Sequence, residues 1–410
     1  MNNINTTKLE QTLYYFIIID ILFLPYLNFF VIPISLPFLF IWYCFNLKKI
    51  KICFDLKLTL GISFCVLIST ISSFLYIPNY INDLNIWSEN LKRALQLISS
   101  FIYIFYIYYF NYIKVRNIKK ILLYFIGFVD IFAIIYFINL NFYYNIKLTI
   151  GIHDPFMDFY YTTTTDMFAR FSYIWSDPNS IGYIIVGVGL YLLINEKSSQ
   201  IEKIFIYISM IFIILCTMST GAMIALIICM IMKFLFSIRN IKVYVKYRYR
   251  DILFFMISIL IISFALINIP KLSEINIFNY SINRIESNST DSRIDIYTNL
   301  LINKNPIKNI LLGEGYNIIL DNQLKRPHSD HLRILYAYGG IVYILILILL
   351  FRKYKKEKVI NYLYKIPFFI CFSINTLIDE QKILIIMLIL ITYERVKYKE
   401  REKCLKKKYQ

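Results

Sequence analysis

Two of the chain's three histidines lie in one short polar segment, 327–333, which reads Pro-His-Ser-Asp-His-Leu-Arg. A long apolar stretch follows, so the segment is predicted to lie where a loop enters the membrane. His328 is a candidate general base, because imidazole titrates near neutral pH and can take a proton from an attacking hydroxyl. Asp330, His331 and Arg333 are candidates for binding the same substrate. The alternative is that the histidines are interfacial residues with satisfied hydrogen bonds.

A second polar group, 170–180, also precedes an apolar stretch. Asp177 and Pro178 are typical of a helix start, since Asp is favoured as the N-cap and Pro in the first turn. That structural role is enough to explain Asp177, Pro178 and Asn179. Arg170 is less easily explained, because an arginine so close to a membrane span needs a partner or a lipid headgroup.

Arg293 lies in the first turn of a predicted helix that begins near Thr290. Apolar residues at positions i, i+3 and i+7 form one stripe, and such a helix could lie on the membrane surface. A cation at the positive end of a helix is unfavourable for the helix itself. Helix amino termini and arginines both favour phosphate, so Arg293 is a candidate phosphate ligand. The simpler alternative is a solvated surface arginine.

Two carboxylates, Asp20 and Asp130, fall inside apolar stretches. Ionisable residues within a membrane are costly and are functional candidates by default, so they could relay protons in a transporter. The preferred interpretation is structural, in which the two residues pair with each other or with buried tyrosines.

The elements that must position all of these residues are membrane helices. The chain is 58% hydrophobic and 17% charged, with a mean hydropathy of +0.58, whereas soluble domains are roughly a quarter charged. Apolar stretches close to the length of a membrane span recur along it. We therefore predict an all-α polytopic membrane protein. About twelve transmembrane helices are predicted, at 12–30, 31–46, 56–76, 94–113, 119–140, 179–194, 202–218, 219–237, 251–268, 332–351, 363–378 and 382–395.

Lys and Arg concentrate in alternate loops and in the tail that starts at Arg395. By the positive-inside rule that side is the cytoplasm, and both termini lie there. The net charge of +18 follows from this topology, so no nucleic-acid partner is expected. The seven cysteines fall in spans or inner loops, which predicts neither a disulfide framework nor a zinc site.

Three regions follow from this topology. Residues 1–268 hold spans one to nine, with an outer loop at 141–178. Residues 269–331 form a large periplasmic or extracellular loop before the tenth span. Residues 332–410 hold spans ten to twelve and a basic cytoplasmic tail.

The order and spacing of three polar motifs resemble the O-antigen polymerase and ligase superfamily of bacterial membrane glycosyltransferases. By motif, the resemblance covers roughly 169–350. Two positions depart from the family pattern, since Tyr173 replaces a glycine and Ser329 replaces an asparagine. The matching residues are Arg170, Pro178 and Asn179 in the first motif, Arg293 and Gly313-Glu314-Gly315 in the second, and His328, Leu332 and Gly339 in the third.

The resemblance implies a GT-C-like fold with its active site at the outer face of the bacterial plasma membrane. The implied donor is a glycan on undecaprenyl diphosphate, transferred without a metal, a nucleotide sugar or another cofactor. Arg170 and Arg293 would bind the diphosphate, and His328 would be the base. The substrate-binding positions would be Asp330, His331, Arg333 and Asn179.

The expected function is therefore a polymerase that joins lipid-linked repeat units into O-antigen or capsular polysaccharide. Its expected partners, besides the bilayer, are the flippase and the chain-length regulator of the same pathway. Two alternatives stay open. An O-antigen ligase would transfer the finished chain to a lipid A core. A lipid-linked oligosaccharide flippase would need a charged path across the bilayer, so Asp20 and Asp130 would be essential and His328 dispensable.

Overall fold

The structure is a computed structural model. It describes residues 8–26, 32–49, 54–75, 77, 80–81, 84–113, 118–150, 170–175, 177–239, 311, 313–316, 318–320, 323–325, 329–352, 359–374 and 381–408.

Among the described residues, the regular secondary structure is helical apart from two short antiparallel hairpins. The α-helices are α1 (Lys8–Phe23), α2 (Leu36–Asn46), α3 (Phe54–Ser73), α4 (Ile86–Ile113), α5 (Ile118–Ile138), α6 (Leu140–Thr149), α7 (Pro178–Asn195), α8 (Gln200–Thr217), α9 (Thr220–Arg239), α10 (Asp330–Tyr338), α11 (Gly340–Phe351), α12 (Ile366–Ile374) and α13 (Gln381–Lys408). Segments of 3₁₀ helix span Leu47–Lys49 and Val359–Lys365. In the hairpins, β1 (Tyr80–Ile81) pairs with β2 (Leu84–Asn85), and β3 (Ile318–Leu320) pairs with β4 (Gln323–Lys325).

Each predicted span that falls on described residues contains a helix. The predicted span 251–268, the segment around Arg293 and most of the loop 269–331 lie outside the described residues. Twelve spans and a GT-C topology therefore stay predictions. Within the predicted outer loop 141–178, α6 adds a helix that the sequence did not indicate.

Several helices have the length and composition of membrane spans. Within the described part of the chain, four helices are long and apolar enough to cross a membrane: Phe54–Ser73, Ile118–Ile138, Pro178–Asn195 and Gln200–Thr217. Other apolar helices are shorter than these: Leu36–Asn46, Gly221–Phe236 and Gly340–Phe351.

The predicted tenth span, 332–351, is not one continuous helix. It is interrupted at Gly339, whose φ of +91° is a conformation that glycine tolerates and other residues rarely adopt. The carbonyl of Leu311 also approaches closely, so that an added Cβ at Gly339 would lie 2.9 Å from its oxygen. The predicted span 332–351 therefore contains two helices, the short α10 and then α11.

The chain divides into two compact units, the first made of Met1–Phe125, Asp295–Lys355 and Cys371–Gln410. Its centre is α13, which packs along α4 and also contacts α1. Every residue of α13 from 381 to 396 is buried, as expected for a helix that is apolar on all sides. Helices α10 and α11 pack on α3, which itself packs on α4.

Arg395, near the middle of α13, links this helix to two others within the first unit. Its Nη1 lies 2.9 Å from the carboxylate of Asp55 in the first turn of α3, and both side chains are nearly inaccessible. Its Nη2 donates to the carbonyl of Leu349 in the last turn of α11. One arginine thus joins the middle of α13 to the start of α3 and the end of α11.

The second unit consists of Ile126–Ile294 and Lys356–Ile370, and α7 is its core. Helices α8 and α9 and the 3₁₀ segment Val359–Lys365 all pack on α7. Small residues allow this close approach, as is usual between membrane helices. An added Cβ would meet Ala222 at Gly182, Phe368 at Gly187 and Met210 at Gly189, each at less than van der Waals distance.

Candidate functional site

The guanidinium group of Arg170 is buried against the end of α8, in the second unit. Its Nε donates to the carbonyl of Thr217 at 2.8 Å and its Nη2 donates to the carbonyl of Met218 at 3.3 Å. Met218 ends the helix in a left-handed conformation, with a φ of +49°. A cation placed here satisfies terminal carbonyls and interacts favourably with the helix dipole. Arg170 therefore caps α8, and the same contacts fix its guanidinium group.

Asn179 is the second partner of Arg170, whose Nη2 lies 2.7 Å from the amide oxygen of Asn179. Asp177 orients this amide, because its Oδ1 accepts from the backbone N–H and from Nδ2 of Asn179, at 3.0 and 3.1 Å. Its Oδ2 accepts from the hydroxyl of Ser180 at 2.9 Å. Asp177 is the N-cap of α7 and Pro178 its first residue, which confirms the predicted helix start. Arg170 and Asn179 are thus brought together.

In the sequence, Tyr173 lies between Arg170 and Asn179, and its backbone conformation is strained. Its φ is +58°, in the left-handed region that favours glycine. The ring is fully buried, with edge contacts to Phe132 at 5.5 Å and Trp175 at 5.4 Å between ring centroids. Burial raises the pKa of the Tyr173 hydroxyl well above its ordinary value, so the hydroxyl stays protonated. Tyr173 therefore holds a backbone conformation that would suit a glycine better than a tyrosine.

Two further residues contact the 170–175 turn, and the sequence did not single them out. Tyr143 and Lys147 lie on α6, and neither has solvent exposure. Their hydroxyl and ammonium groups bond to the turn directly. A buried lysine is rare, but a single Lys in a long loop gives no signal of burial.

The polar residues at the start of α10 belong to the first unit. Asp330 is fully buried, and the hydroxyl of Ser329 donates to the carbonyl of Phe372 at 3.4 Å. Nδ1 of His331 lies 3.1 Å from the hydroxyl of Tyr343, and its ring makes an edge contact with Phe372 at 5.8 Å. These contacts correspond to the structural alternative for His331, a histidine with a satisfied hydrogen bond.

Arg333 shares an aromatic ring with a second arginine. Its Cζ lies 4.5 Å from the ring centroid of Tyr316, and Cζ of Arg93 lies 5.2 Å from the same centroid. Arg93 is further held by Glu89 at 2.8 Å and by the amide oxygen of Gln96 at 3.2 Å. Arg93 is not among the predicted site residues, because the predicted fourth span starts at residue 94 whereas α4 begins at Ile86. The charged and amide residues at i, i+4 and i+7 could have indicated the earlier start.

The turn Gly313-Glu314-Gly315 places Tyr316 between α4 and α10. Its backbone pairs with α10, since the N–H of Glu314 donates to the carbonyl of Tyr336 at 2.7 Å and that of Gly315 to the carbonyl of Ala337 at 3.1 Å. Gly315 has a φ of +93°, a backbone conformation that glycine adopts at no steric cost. An added Cβ at Gly313 would lie 2.1 Å from the backbone oxygen of Ala337. The second motif of the resemblance thus packs directly on the third.

The two carboxylates inside predicted spans have separate partners. Asp20 forms a buried ion pair with Lys382 at 3.0 Å, in the first unit. Asp130, in the second unit, accepts from the hydroxyl of Ser209 at 2.6 Å. Tyr103 reaches Asp20 only through Ser35. The preferred prediction, pairing with each other or with buried tyrosines, is therefore wrong in its partners, although each carboxylate is held by another side chain.

Two of the three proposed catalytic residues, Arg293 and His328, lie outside the described residues. Of the others, Arg170 and Asn179 belong to the second unit, and Asp330, His331 and Arg333 to the first. Among the residues that the structure describes, no three His, Cys, Asp or Glu side chains cluster closely enough to hold a metal ion.

No protein family, no curated protein and no solved structure matches this chain. The composition and the helices alone therefore define its class. It is a helical protein with several segments long and apolar enough to be embedded in a membrane.

Proposed function

We propose that this protein is a polysaccharide polymerase of the bacterial plasma membrane. It joins oligosaccharide repeat units carried on undecaprenyl diphosphate into O-antigen or capsular polysaccharide, at the outer face of the membrane. The proposal begins with the resemblance of the three polar motifs, which stand in the family's order and spacing.

The observation that supports this proposal most directly is the contact between Arg170 and Asn179. These residues open and close the first motif, and their side chains lie 2.7 Å apart. The left-handed backbone of Tyr173 adds support, because a glycine is typical of the family at that position.

In the proposed reaction, the hydroxyl of the acceptor sugar attacks the anomeric carbon of the donor glycan. A new glycosidic C–O bond forms as the bond from that carbon to the phosphate oxygen breaks. The electron pair leaves with undecaprenyl diphosphate, and the hydroxyl proton passes to His328. Attack opposite the leaving group inverts the anomeric centre.

Arg170 and Arg293 stabilise the charge that develops on the leaving diphosphate. Arginine suits this role, because its planar guanidinium group forms bidentate contacts with phosphate oxygens. The fixed position of Arg170 on the end of α8 means that little reorganisation is needed at the moment of reaction. Asp330, His331, Arg333 and Asn179 bind the substrate or orient the groups that do.

The contacts of Asp20 weigh against the flippase alternative. Its carboxylate is tied to Lys382 and to the backbone N–H of Ser35, and it has no solvent exposure. A proton relay or an ion path needs a carboxylate that can change partners. Asp20 is instead part of a fixed network.

Deletion of the gene in its native host, with the surface polysaccharide separated on a gel, tests this proposal. A polymerase predicts that the ladder collapses to a single repeat on its acceptor, and that the chain restores the ladder when re-expressed. A bare acceptor with long chains still on the lipid carrier identifies a ligase instead. A bare acceptor with single repeat units accumulating on the lipid carrier at the cytoplasmic side identifies a flippase.

A further inference from the structure

Helix α6 supports the turn that carries Arg170. The hydroxyl of Tyr143 accepts a hydrogen bond from the backbone N–H of Ser172 at 3.2 Å and donates to the carbonyl of Tyr173 at 3.0 Å. One side-chain hydroxyl therefore satisfies a donor and an acceptor of the turn, as a hydroxyl group can. Buried backbone groups require such partners, and here α6 provides them.

Lys147 bonds the same turn from the next turn of α6. Its ammonium group donates to the hydroxyl of Ser172 and, at 3.1 Å, to the carbonyl of Trp175. It also lies 5.7 Å from the ring centroid of Tyr143. Residues four apart lie on one face of a helix, so α6 presents both polar groups to one side of the turn.

The conformation of Tyr173 indicates what this support achieves. A non-glycine residue with a φ of +58° persists only where its surroundings over-determine it, and such residues cluster at functional sites. Tyr143 binds the carbonyl of Tyr173 itself and the N–H of the residue before it. Arg170 lies three residues earlier and Asn179 six residues later. Holding the strained residue therefore also sets the path of the chain between these two partners.

We propose that Tyr143 and Lys147 are positioning residues, which hold the 170–175 turn so that Arg170 presents its guanidinium group to a phosphate of the donor. The assignment of a phosphate as the ligand of Arg170 rests on the proposed function, whereas the support of the turn by α6 rests on the contacts alone. Lysine is suited to this position because its ammonium group can satisfy several acceptors. It also adds positive charge to the segment that carries Arg170, which favours an anionic ligand.

The first test measures the turn itself through Trp175, which is buried and whose carbonyl Lys147 binds. In the full chain with Trp42→Phe and Trp87→Phe, Trp175 is the one remaining tryptophan. We expect Tyr143→Phe and Lys147→Met each to increase the quenching of Trp175 by acrylamide several-fold. Tyr124→Phe, which removes an exposed hydroxyl on α5, is the matched control and leaves quenching unchanged. Unchanged quenching in both α6 variants overturns the proposal.

The second test measures turnover with the purified chain in nanodiscs and a lipid-linked repeat unit as donor. Tyr143→Phe and Lys147→Met are expected to lower kcat/KM about tenfold, since small misplacements of a binding group have effects of this order. Lys147→Arg restores most of the loss. In an Arg170→Lys background the same two variants cause little further loss, because they act through Arg170. Fully additive losses overturn the positioning role.

The two tests separate this proposal from the proposed function. If the wild-type chain forms no polymer but Trp175 responds to Tyr143→Phe, the polymerase assignment fails and the support of the turn stands. If the chain is an active polymerase and neither α6 variant changes Trp175 or kcat/KM, the polymerase assignment stands and the positioning role fails.

Discussion

The ammonium group of Lys382 lies 3.0 Å from the carboxylate of Asp20, although the two residues are at opposite ends of the chain. It also donates to the carbonyls of Leu24 and Pro25, at 2.8 and 3.2 Å. The other oxygen of Asp20 accepts from the backbone N–H of Ser35 at 2.6 Å. This pair therefore joins the end of α1, the start of α2 and the start of α13, and its charges are satisfied by hydrogen bonds as well as by each other.

Removing one partner of this pair should destabilise the protein strongly. Lys382→Met leaves a buried carboxylate without its counter-ion, which typically costs about 3–5 kcal/mol. The double variant Asp20→Asn with Lys382→Met removes both charges and should recover much of that loss. The midpoint of chemical unfolding in detergent, followed by circular dichroism, measures both.

Lys57→Met, an exposed substitution on α3, provides the matched control and should change the unfolding midpoint little. Equal midpoints for Lys382→Met and Lys57→Met would contradict a structural ion pair at Asp20.

The ion pair between Asp20 and Lys382 shows which features of the fold could be predicted from the sequence and which could not. Apolar stretches are local in sequence, so the helices could be predicted from hydropathy with errors of a few residues at their ends. A carboxylate inside an apolar stretch is also visible in the neighbouring sequence. Because an unpaired charge within a membrane is costly, it indicated that Asp20 needs a partner. The identity of that partner depends on which helices pack together. Lys382 could not be found because hydropathy alone treated it as the edge of a span.

The shared ring of Tyr316 predicts a difference between two substitutions. Tyr316→Phe keeps the ring over which Arg333 and Arg93 lie, at 4.5 and 5.2 Å. Tyr316→Leu removes the ring and with it a desolvated cation–π contact, worth roughly 1–2 kcal/mol. We expect the Leu variant to unfold at a lower denaturant concentration than the Phe variant. In an Arg333→Met background the difference between Phe and Leu should shrink, and a difference of unchanged size would show that the contact with Arg333 contributes nothing.

A side chain added at Gly313 should clash with α10, and the same change at Gly61 serves as the control. An added Cβ would lie 2.1 Å from the carbonyl oxygen of Ala337, so Gly313→Ala must push the turn away from α10. A loss of about 1–3 kcal/mol is expected, as for other overpacked sites. Gly61→Ala meets no atom within 4 Å and should be neutral or slightly stabilising, since alanine is the better helix former. The two unfolding curves test this, and equal curves would mean that the turn does not pack on α10 this closely.

The polar residues of the candidate site were predictable to different degrees. Asp177 and Pro178 carry local signals for a helix start, and the structure has that start. The close approach of Gly313 to α10 and the contact of Arg93 with Tyr316 join segments that are distant in sequence. No pattern along the chain encodes such contacts. Residue types could therefore nominate Arg333, but not the ring that holds it.

The two histidines of the third motif should differ in their effect on turnover. His331 is held by the hydroxyl of Tyr343 at 3.1 Å and packs edge-on against Phe372, so its contacts are those of a structural residue. His331→Gln keeps a hydrogen-bonding side chain and should reduce polymer formation less than tenfold. His328→Ala removes the proposed base and should reduce turnover by about 10²–10⁴-fold, the usual contribution of general acid–base catalysis. Polymer formed per unit time from a lipid-linked repeat unit, at equal amounts of folded protein in the membrane, measures both. A fully active His328→Ala variant would refute the assignment of the base, and a dead His331→Gln variant beside it would move that assignment to His331.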